Sequence, residues 1–368
     1  MFLCEICNSA NCKAFETGEC HICQGKATQT PEMIKKAEAL LEKEDAKSFS
    51  LSTRLPKDWM TREEDVWDLK ICRETQSMKN LLNKRISGDI SNAAGLEYSK
   101  EGDVRLVFDY RNGEVSVRRN DLFVFGRYKK LKPGLSQSRW PCRKCGGKGC
   151  PQCGGRGKNY DSVEERIGDP FKKDTGAESY VIHASGREDV DATNTAGRPF
   201  VLEISAPENR NPDLGRVADA IKASGEVEAE DLKIVDRSFV ELVTESHFDK
   251  TYLAEVKLGR GITGKEAGKI ESLTGQTILQ RTPARVSHRR ADLVRHRKVK
   301  NARVLEKRGD ALSLEIKAEA GTYIKELISG DKGRTSPSIA GMLSTEAECK
   351  RLEVTEINDG FIDFCIQD

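Results

Sequence analysis

The sequence predicts an α+β fold with a mixed or antiparallel sheet, divided into two or three domains. The length of 368 residues sets the expected number of domains. Apolar residues alternate with period two in several separated runs, and helical spacing occupies the segments between these runs. Strands that recur with interspersed helices are typical of α+β proteins.

Composition places further limits on the protein. Hydrophobic residues make up 37% of the chain and charged residues 33%, but the net charge is only +2. A nucleic-acid site must therefore be a local basic patch. No run approaches 18 apolar residues and the N-terminus lacks a secretory pattern, so we expect a cytoplasmic protein with reduced thiols and no membrane partner.

The chain begins with paired cysteines. Two C-x-x-C pairs, separated by twelve residues, are formed by Cys4, Cys7, Cys20 and Cys23. Four thiolates can close a tetrahedral Zn²⁺ site, and structural zinc would explain how a short polar segment folds. Cys12 and His21 are further possible ligands, but the paired spacing favours four thiolates. We predict a zinc module over residues 1–30.

The next hundred residues mix helical and strand patterns. Helical spacing covers 31–45 and 63–86, and Phe49 opens an alternating run. Asn112-Gly113 separates the strand patterns 103–110 and 114–118, as in a hairpin. These elements predict a small α+β domain over 31–138.

A second cysteine cluster follows. The spacing C-x2-C-x4-C-x2-C, with glycines at its turns, predicts another structural zinc site over 139–157. Because the spacer between the pairs is short, sharing of ligands between the clusters stays open. The predicted ligands are Cys142, Cys145, Cys150 and Cys153.

The remaining chain, 158–368, predicts a larger α+β domain. Strand patterns begin at Phe239, Thr251 and Ala311, and helical patterns cover 212–225 and 264–272. The glycine-rich segment that ends at Glu266 has no Ser or Thr where a P-loop needs one, and no acid follows about 20 residues on, as a dinucleotide site requires. We therefore expect no organic nucleotide cofactor.

Residues 281–300 form a concentrated positive field. They contain eight Lys or Arg and one acid. Such density suits contacts to RNA phosphates, and a solvated basic face is the alternative. The predicted contacts come from Arg285, Arg289 and Arg290.

The segment 184–191 carries three acids in four positions, at Glu188, Asp189 and Asp191, and leads into an apolar run. A carboxylate on a loop beside a cation can act as a nucleophile or a base. The alternative is an acidic surface turn. Physical reasoning does not choose between Asp189 and Asp191.

Gly186-Arg187-Glu188-Asp189, with Gly197-Arg198-Pro199-Phe200 downstream, resembles the catalytic motif of the archaeal-type tRNA pseudouridine 54/55 synthase family. The segments 280–298 and 321–338 are also similar to that family. One departure lies in the loop 192–196, which lacks the arginine of the family pattern and is one residue shorter; this could change the substrate range.

The resemblance implies a pseudouridine synthase catalytic domain at 158–368 and a THUMP-type RNA-binding domain at 31–138. It implies that Asp189 is the nucleophile or base and that Tyr252 stacks on the target base. Lys325 would pair with Asp189, with Arg187 as a weaker alternative partner, and Tyr323 would be a second functional tyrosine.

The implied activity is isomerisation of uridine 55, and of uridine 54, in the TΨC arm of tRNA, without an organic cofactor or an obligate protein partner. A non-catalytic, zinc-dependent RNA-binding protein is the alternative, because the cysteine clusters and the basic segment would suffice for it.

Overall fold

The computed structural model describes residues 1–289 and 291–366. Tertiary contacts divide these residues into two compact units. The first unit comprises residues 1–122, 175–179 and 204–212, and the second comprises the other described residues. The predicted domains 1–30, 31–138, 139–157 and 158–368 remain predictions. No helix in the described part of the chain is long and apolar enough to cross a membrane.

The first unit is built on a four-stranded sheet of order β4-β3-β5-β6 and a two-stranded sheet, β1-β2. Strand β3 is parallel to β4 and β5, and β5 is antiparallel to β6 across the predicted hairpin. Its elements are β1 (Phe2–Leu3), α1 (Glu5–Ala10), β2 (Glu16–Thr17), α2 (Thr30–Leu41), β3 (Ser48–Arg54), α3 (Lys57–Asp68), α4 (Met78–Ala94), β4 (Glu97–Tyr98), β5 (Val104–Asp109) and β6 (Glu114–Arg119).

The core of the first unit joins helices, sheet and cysteines. Trp59, Phe49 and Phe108 are fully buried there, together with the sulfur-bearing residues of the first cysteine cluster. The predicted single helix over 63–86 is wrong, because α3 ends at Asp68 and α4 begins at Met78. Lys70 adopts a left-handed φ of 53° after the end of α3, and Ser77 caps α4 by accepting from Asn80 N, so the chain leaves the helical conformation between the two helices.

The second unit is organised around a ten-stranded sheet of order β10-β7-β9-β16-β11-β14-β13-β12-β15, with β8 paired to β9. Its strands, some of which end in the first unit, are β7 (Leu122–Lys130), β8 (Ser179–Ala184), β9 (Thr193–Ser205), β10 (Val227–Val235), β11 (Lys250–Leu258), β12 (Thr277–Arg281), β13 (Val294–Arg308), β14 (Ala311–Ala318), β15 (Thr335–Ser336) and β16 (Ala347–Ile357). The helices are α5 (Val163–Thr175), α6 (Leu214–Lys222), α7 (Ser238–Glu245), α8 (Gly264–Glu271), α9 (Ile324–Ser329), α10 (Ile339–Leu343) and α11 (Gly360–Ile366).

This sheet is mixed. Strand β16 runs parallel to β9 at Glu353 and antiparallel to β11, which is itself antiparallel to β14. The prediction of an α+β fold with a mixed or antiparallel sheet is therefore confirmed. The main core packs strands β11, β14 and β16 against helices α8, α9 and α10.

Two local expectations have different outcomes. The predicted strand at 239–243 is wrong, because these residues lie in helix α7, where Phe239 and Val243 are one turn apart and Val243 is fully buried. An apolar pattern over only five residues cannot distinguish the helical period of about 3.6 residues from the strand period of about two. The helix predicted at 264–272 is confirmed as α8, and Glu266 completes a capping box with Thr263.

Candidate active site

The loop between β8 and β9 presents the predicted catalytic acids, and two buried cations fix its backbone. Lys130 Nζ donates to the carbonyl oxygens of Asp189 and Val190, at 3.0 and 2.9 Å. Arg198 Nη1 donates to Ser185 O at 2.7 Å. Burial lowers the pKa of Lys130 to about 8. The loop is therefore held at both ends by side chains that come from neighbouring strands.

Gly186 allows this loop to turn tightly. Its φ is +79°, and a Cβ added there would lie 3.3 Å from Arg198 Nη1. A side chain at this position would meet both backbone strain and a crowded neighbour. The tight turn and the nearby Arg198 side chain therefore explain why glycine occupies this position of the Gly-Arg-Glu-Asp motif.

Glu188 is the buried anchor of the loop. Its side chain is 1% exposed and accepts from Arg198 Nε at 2.7 Å, Tyr128 Oη at 2.8 Å and Asn194 Nδ2 at 2.7 Å. Burial on its own raises the pKa of Glu188, but the Arg198 guanidinium and the other donors outweigh it and hold the pKa below its usual value. A desolvated carboxylate is stable here because it is fully paired.

Asp189 directs its carboxylate towards solvent between two cations. Its side chain is 31% exposed, and Arg285 Nη1 lies 2.8 Å from one oxygen while Lys325 Nζ lies 3.5 Å from the other. Arg285 also donates through Nε to Glu326 at 2.7 Å, and the Glu326 side chain is buried. Among the described side chains, Arg285 is therefore the nearest cation to Asp189, and it is itself oriented by an acid on α9.

Lys325 bridges the two candidate acids. Its Nζ lies 2.6 Å from both oxygens of Asp191 and 3.5 Å from Asp189. Partial burial raises the pKa of Asp191, but the Lys325 ammonium outweighs it and holds the pKa below its usual range. Asp191 is 72% exposed at its side chain, whereas Asp189 is turned further into the site.

A cleft of about 320 Å³ opens beside Asp189, a volume within the range of small-molecule sites. Tyr252, on β11, forms part of its wall and is 9% exposed. Burial raises the pKa of Tyr252 to about 12, so the phenol stays protonated at neutral pH. Leu352, Val354 and Ala192 add apolar surface to the same cleft.

Tyr323 lines the same cleft and its backbone is clamped. Gln280, almost fully buried on β12, accepts from Tyr323 N at 2.9 Å and donates to Tyr323 O at 3.0 Å. This two-point contact ties the start of α9 to the sheet. It positions both Tyr323 and Lys325 relative to Asp189.

Further cations line the cleft. Arg295 and Arg297 reach it from β13, Lys250 from β11, and the exposed side chain of Arg187 from the acidic loop. Burial lowers the pKa of Lys250 to about 8. Of the other predicted basic contacts, the side chain of Arg289 and the whole of Arg290 lie outside the described residues.

Eight of the twelve cysteines form two groups of four, and within each group the sulfur atoms lie within 4.8 Å of one another. Tetrahedral zinc with metal–sulfur bonds of about 2.3 Å implies sulfur–sulfur separations near 3.8 Å. The sulfurs of Cys4 and Cys23 are 3.6 Å apart, and those of Cys142 and Cys150 are 3.9 Å apart. Both groups therefore fit a four-thiolate metal site.

Backbone amides support the second group. Gly149 N donates to Cys145 Sγ at 3.2 Å, and Gly157 N donates to Cys153 Sγ at 3.3 Å. Desolvation raises the pKa of Cys153, but backbone donors from Cys150 and Gly157 outweigh it and the pKa is about 6. These donors favour the thiolate, which is the form that binds metal. Cys12 instead donates to Glu74 O.

Sequence reasoning missed the buried residues behind the site. The sequence shows Glu188 only as one member of an acidic run, and it does not indicate that the side chains of Glu188 and Lys130 are almost fully buried. Arg198 carried a usable signal, because it belongs to the quoted Gly-Arg-Pro-Phe motif. Glu326 carried no sequence signal other than its position next to Lys325.

Comparison with known proteins shows the family of this chain. A family model described as "Pus10, C-terminal" matches residues 123–358. A protein named tRNA pseudouridine synthase Pus10, from Korarchaeum cryptofilum (strain OPF8), is 37% identical over 347 residues, which cover 92% of this chain and 93% of the relative. The protein of the same name from Archaeoglobus fulgidus is 34% identical over 369 residues, covering 97% of this chain and all of the relative.

Among solved structures, the Cbf5-Nop10-Gar1 complex matches with 17% identity and a TM-score of 0.33, covering 63% of this chain and 58% of that one. At that score the likeness adds nothing to the assignment. The sequence relatives, together with a carboxylate between two cations beside a buried tyrosine, define an isomerase of the pseudouridine synthase class. The chain belongs to the Pus10 family.

Proposed function

We propose that this protein converts uridine to pseudouridine in tRNA, at position 55 and also at position 54 of the TΨC loop. The observation that supports the proposal most is the carboxylate of Asp189, which lies at the edge of a nucleotide-sized cleft between Arg285 and Lys325. The relatives named tRNA pseudouridine synthase suggest the substrate class.

The reaction is an isomerisation. The bond between C1′ and N1 of the uridine breaks, a bond between C1′ and C5 forms, and the proton leaves C5 while N1 gains one. No oxidant or reductant is needed. Asp189 acts at the sugar as a nucleophile or a base, and contacts with Arg285 and Lys325 hold its carboxylate in place.

The target base must leave its stack and turn within the site. Tyr252 offers a ring in the cleft wall, and its protonated phenol can donate a hydrogen bond without acting as a base at neutral pH. Tyr323 is a second aromatic group in the same cleft, held by Gln280. We assign Tyr252 to stacking on the base and Tyr323 to its support.

Cations around the cleft would hold the RNA backbone. Arg297 has a buried Nε for which the described residues supply no hydrogen-bond acceptor, and its side chain lines the cleft. A buried donor that lacks a partner is costly unless a ligand supplies the acceptor. A phosphate oxygen is a fitting acceptor, and we assign the same role to Arg295, Arg187 and the predicted Arg289 and Arg290.

The rest of the chain would serve docking. We assign RNA binding to a THUMP-like domain over 31–138 and structural roles to two zinc sites, one in each of the segments 1–30 and 139–157. The catalytic domain is proposed to cover 158–368. The four-sulfur geometry supports the metal sites, and zinc is the ion that we propose.

The test uses an unmodified tRNA transcript and pseudouridine mapping by carbodiimide treatment and primer extension. We expect product at the TΨC loop, and none with Asp189→Asn. Asp191→Asn is the matched control, because it removes a neighbouring acid of the same loop and should retain most of the activity. Transcripts with cytidine at position 54 or 55 assign each product.

The outcomes separate the alternatives. Full activity of Asp189→Asn would make the assignment of the catalytic acid wrong. Salt-sensitive tRNA binding by the wild-type protein without product would favour the non-catalytic RNA-binding alternative. Product at only one position would narrow the proposal to that uridine.

A further inference from the structure

A second cleft also adjoins Asp189, within the second unit. It has a volume of about 300 Å³, and its lining includes Ser136, Ser138, Trp140 and Tyr160. Both clefts are lined by Arg187, Glu188, Asp189, Arg285 and Lys325. The loop that carries Asp189 is therefore a wall common to the two clefts.

The aromatic pair of this cleft is held by the second cysteine cluster. Trp140 and Tyr160 make an edge-to-face contact with ring centroids 6.1 Å apart, and Tyr160 is 41% exposed. Cys142 N donates to Gly157 O at 2.7 Å, and a β-bridge joins Pro141 to Lys158. These contacts close the segment between Pro141 and Lys158, which we call the cysteine loop. Its closure brings Trp140 and Tyr160, which flank the loop in sequence, into contact at the cleft.

We propose that this second cleft binds the nucleotide next to the target uridine in the same RNA strand, with its base stacked on Trp140 and Tyr160. The inference rests on the proposed function, since it needs a uridine at Asp189. Aromatic side chains are the common platform for unstacked RNA bases, and one stacked base contributes enough to change affinity about ten-fold or more.

The continuity of the two clefts argues for this occupant. A base in the cleft of Tyr252 places its ribose near Asp189, and because Asp189 also lines the second cleft, that cleft is within reach of an adjoining nucleotide. The acids of that wall are already paired: Glu188 with Arg198, Asp189 with Arg285, and Asp191 with Lys325. An uncharged base therefore meets no uncompensated negative charge.

The charge around the aromatic pair also favours RNA. Residues 139–160 contain six Lys or Arg and no acid. Arg143, Lys144 and Lys148 are exposed on the cysteine loop, where they can accompany a phosphate backbone. An apolar peptide would gain nothing from these cationic side chains.

The experiment measures tRNA binding in an Asp189→Asn background, which prevents turnover. We expect Trp140→Ala and Tyr160→Ala each to raise Kd about ten-fold, and Trp140→Phe, which keeps a ring, to stay within about two-fold. The slope of log Kd against log salt should not change, because the lost contact involves no phosphate. Phe361→Ala is the control, since Phe361 is 62% exposed and lines neither cleft.

The position of the contact is tested by photocross-linking. Transcripts carry 5-iodouridine on one or the other side of the target, and we expect the cross-linked peptide to contain Trp140 or Tyr160. A cross-link that maps to another part of the chain from both positions would overturn the subsite.

Three outcomes would overturn the inference while leaving the proposed function intact. In the first, the wild-type enzyme makes pseudouridine while both alanine variants bind tRNA with an unchanged Kd. In the second, Trp140→Phe and Trp140→Ala weaken tRNA binding equally. In the third, the alanine variants change the slope of log Kd against log salt. Failure of the proposed function looks different, because the wild-type protein would then form no pseudouridine at all. Metal content measured on each variant checks that the cysteine loop has kept its fold.

Discussion

At the scale of single residues, the site is a chain of alternating charges. Glu326 holds Arg285, Arg285 contacts Asp189, Lys325 lies between Asp189 and Asp191, and Glu188 forms a separate pair below the loop. The solvent exposure of each carboxylate decides whether it can contact a ligand. Asp189 keeps part of its surface open to a ligand, whereas Glu188 is sealed and can serve the structure alone.

The buried pair of Glu188 and Arg198 gives a prediction on stability. Glu188→Gln should lower the free energy of unfolding by about 3–5 kcal/mol, because it leaves the Arg198 charge buried and uncompensated. Asp191→Asn, an exposed acid of the same loop, should cost less than about 1 kcal/mol. Chemical denaturation at pH 7 measures both variants, and equal losses would contradict the structural role of Glu188.

The same pair predicts a dependence on pH. The pKa of Glu188 is lowered in the folded protein from an ordinary value of 4.5. Its stabilisation is therefore fully present above that value and is lost as the pH falls through the folded pKa. Compared with the wild-type protein, Glu188→Gln should lose less stability between pH 5 and pH 3. A parallel decline of the two proteins would show that other carboxyl groups dominate.

A motif of neighbouring residues predicts Asp189 as the catalytic acid, but the sequence does not show which side chains surround it. The partners of Glu188 come from β7 and β9, at Tyr128, Asn194 and Arg198, so only folding brings them together. The proximity of Arg285 to Asp189 has the same origin, since 96 positions separate them in the chain.

At the scale of elements, short patterns were the least informative. The helix α7 was predicted as a strand because five residues with four apolar members fit either period. Longer runs such as β11 and β14 are easier to predict, since buried and more accessible positions alternate along all of β14 and over the last seven residues of β11. Cysteine spacing was the strongest local signal, because ligand geometry restricts it.

The cysteine clusters predict a metal count. Native mass spectrometry of the purified chain should find two zinc ions. Cys150→Ser should lose one of them, because a structural site needs all four thiolates, and the aromatic pair of Trp140 and Tyr160 should lose its fixed contact.

Cys365→Ser is the matched control for this measurement. Cys365 lies in α11 and belongs to neither group of four. Its variant should keep two ions and an unchanged near-ultraviolet circular dichroism spectrum. Retention of both ions by Cys150→Ser would show that the second group does not form a four-thiolate site.

At the scale of the whole molecule, a net charge of +2 cannot by itself attract RNA strongly. Local charge must do so, and β13 is an example. It places Arg295 and Arg297 in the cleft beside Asp189, while Arg303 on the same strand is 64% exposed and lies outside both clefts. One strand thus offers cations inside and outside the proposed RNA path.

Because Arg297 lines the cleft and Arg303 does not, their alanine variants should differ in the salt dependence of tRNA binding. Each protein–phosphate contact releases counterions, so its loss reduces the slope of log K against log salt by about 0.7–0.9. Arg297→Ala should show that reduction in tRNA binding measured over a series of KCl concentrations, since Arg297 lines the cleft and its buried Nε has no acceptor among the described residues. Arg303→Ala should leave the slope unchanged, although it removes the same formal charge. An equal change of the slope in the two variants would mean that the molecule attracts RNA through its general charge. The proposed phosphate contacts in the cleft of Asp189 would then be wrong.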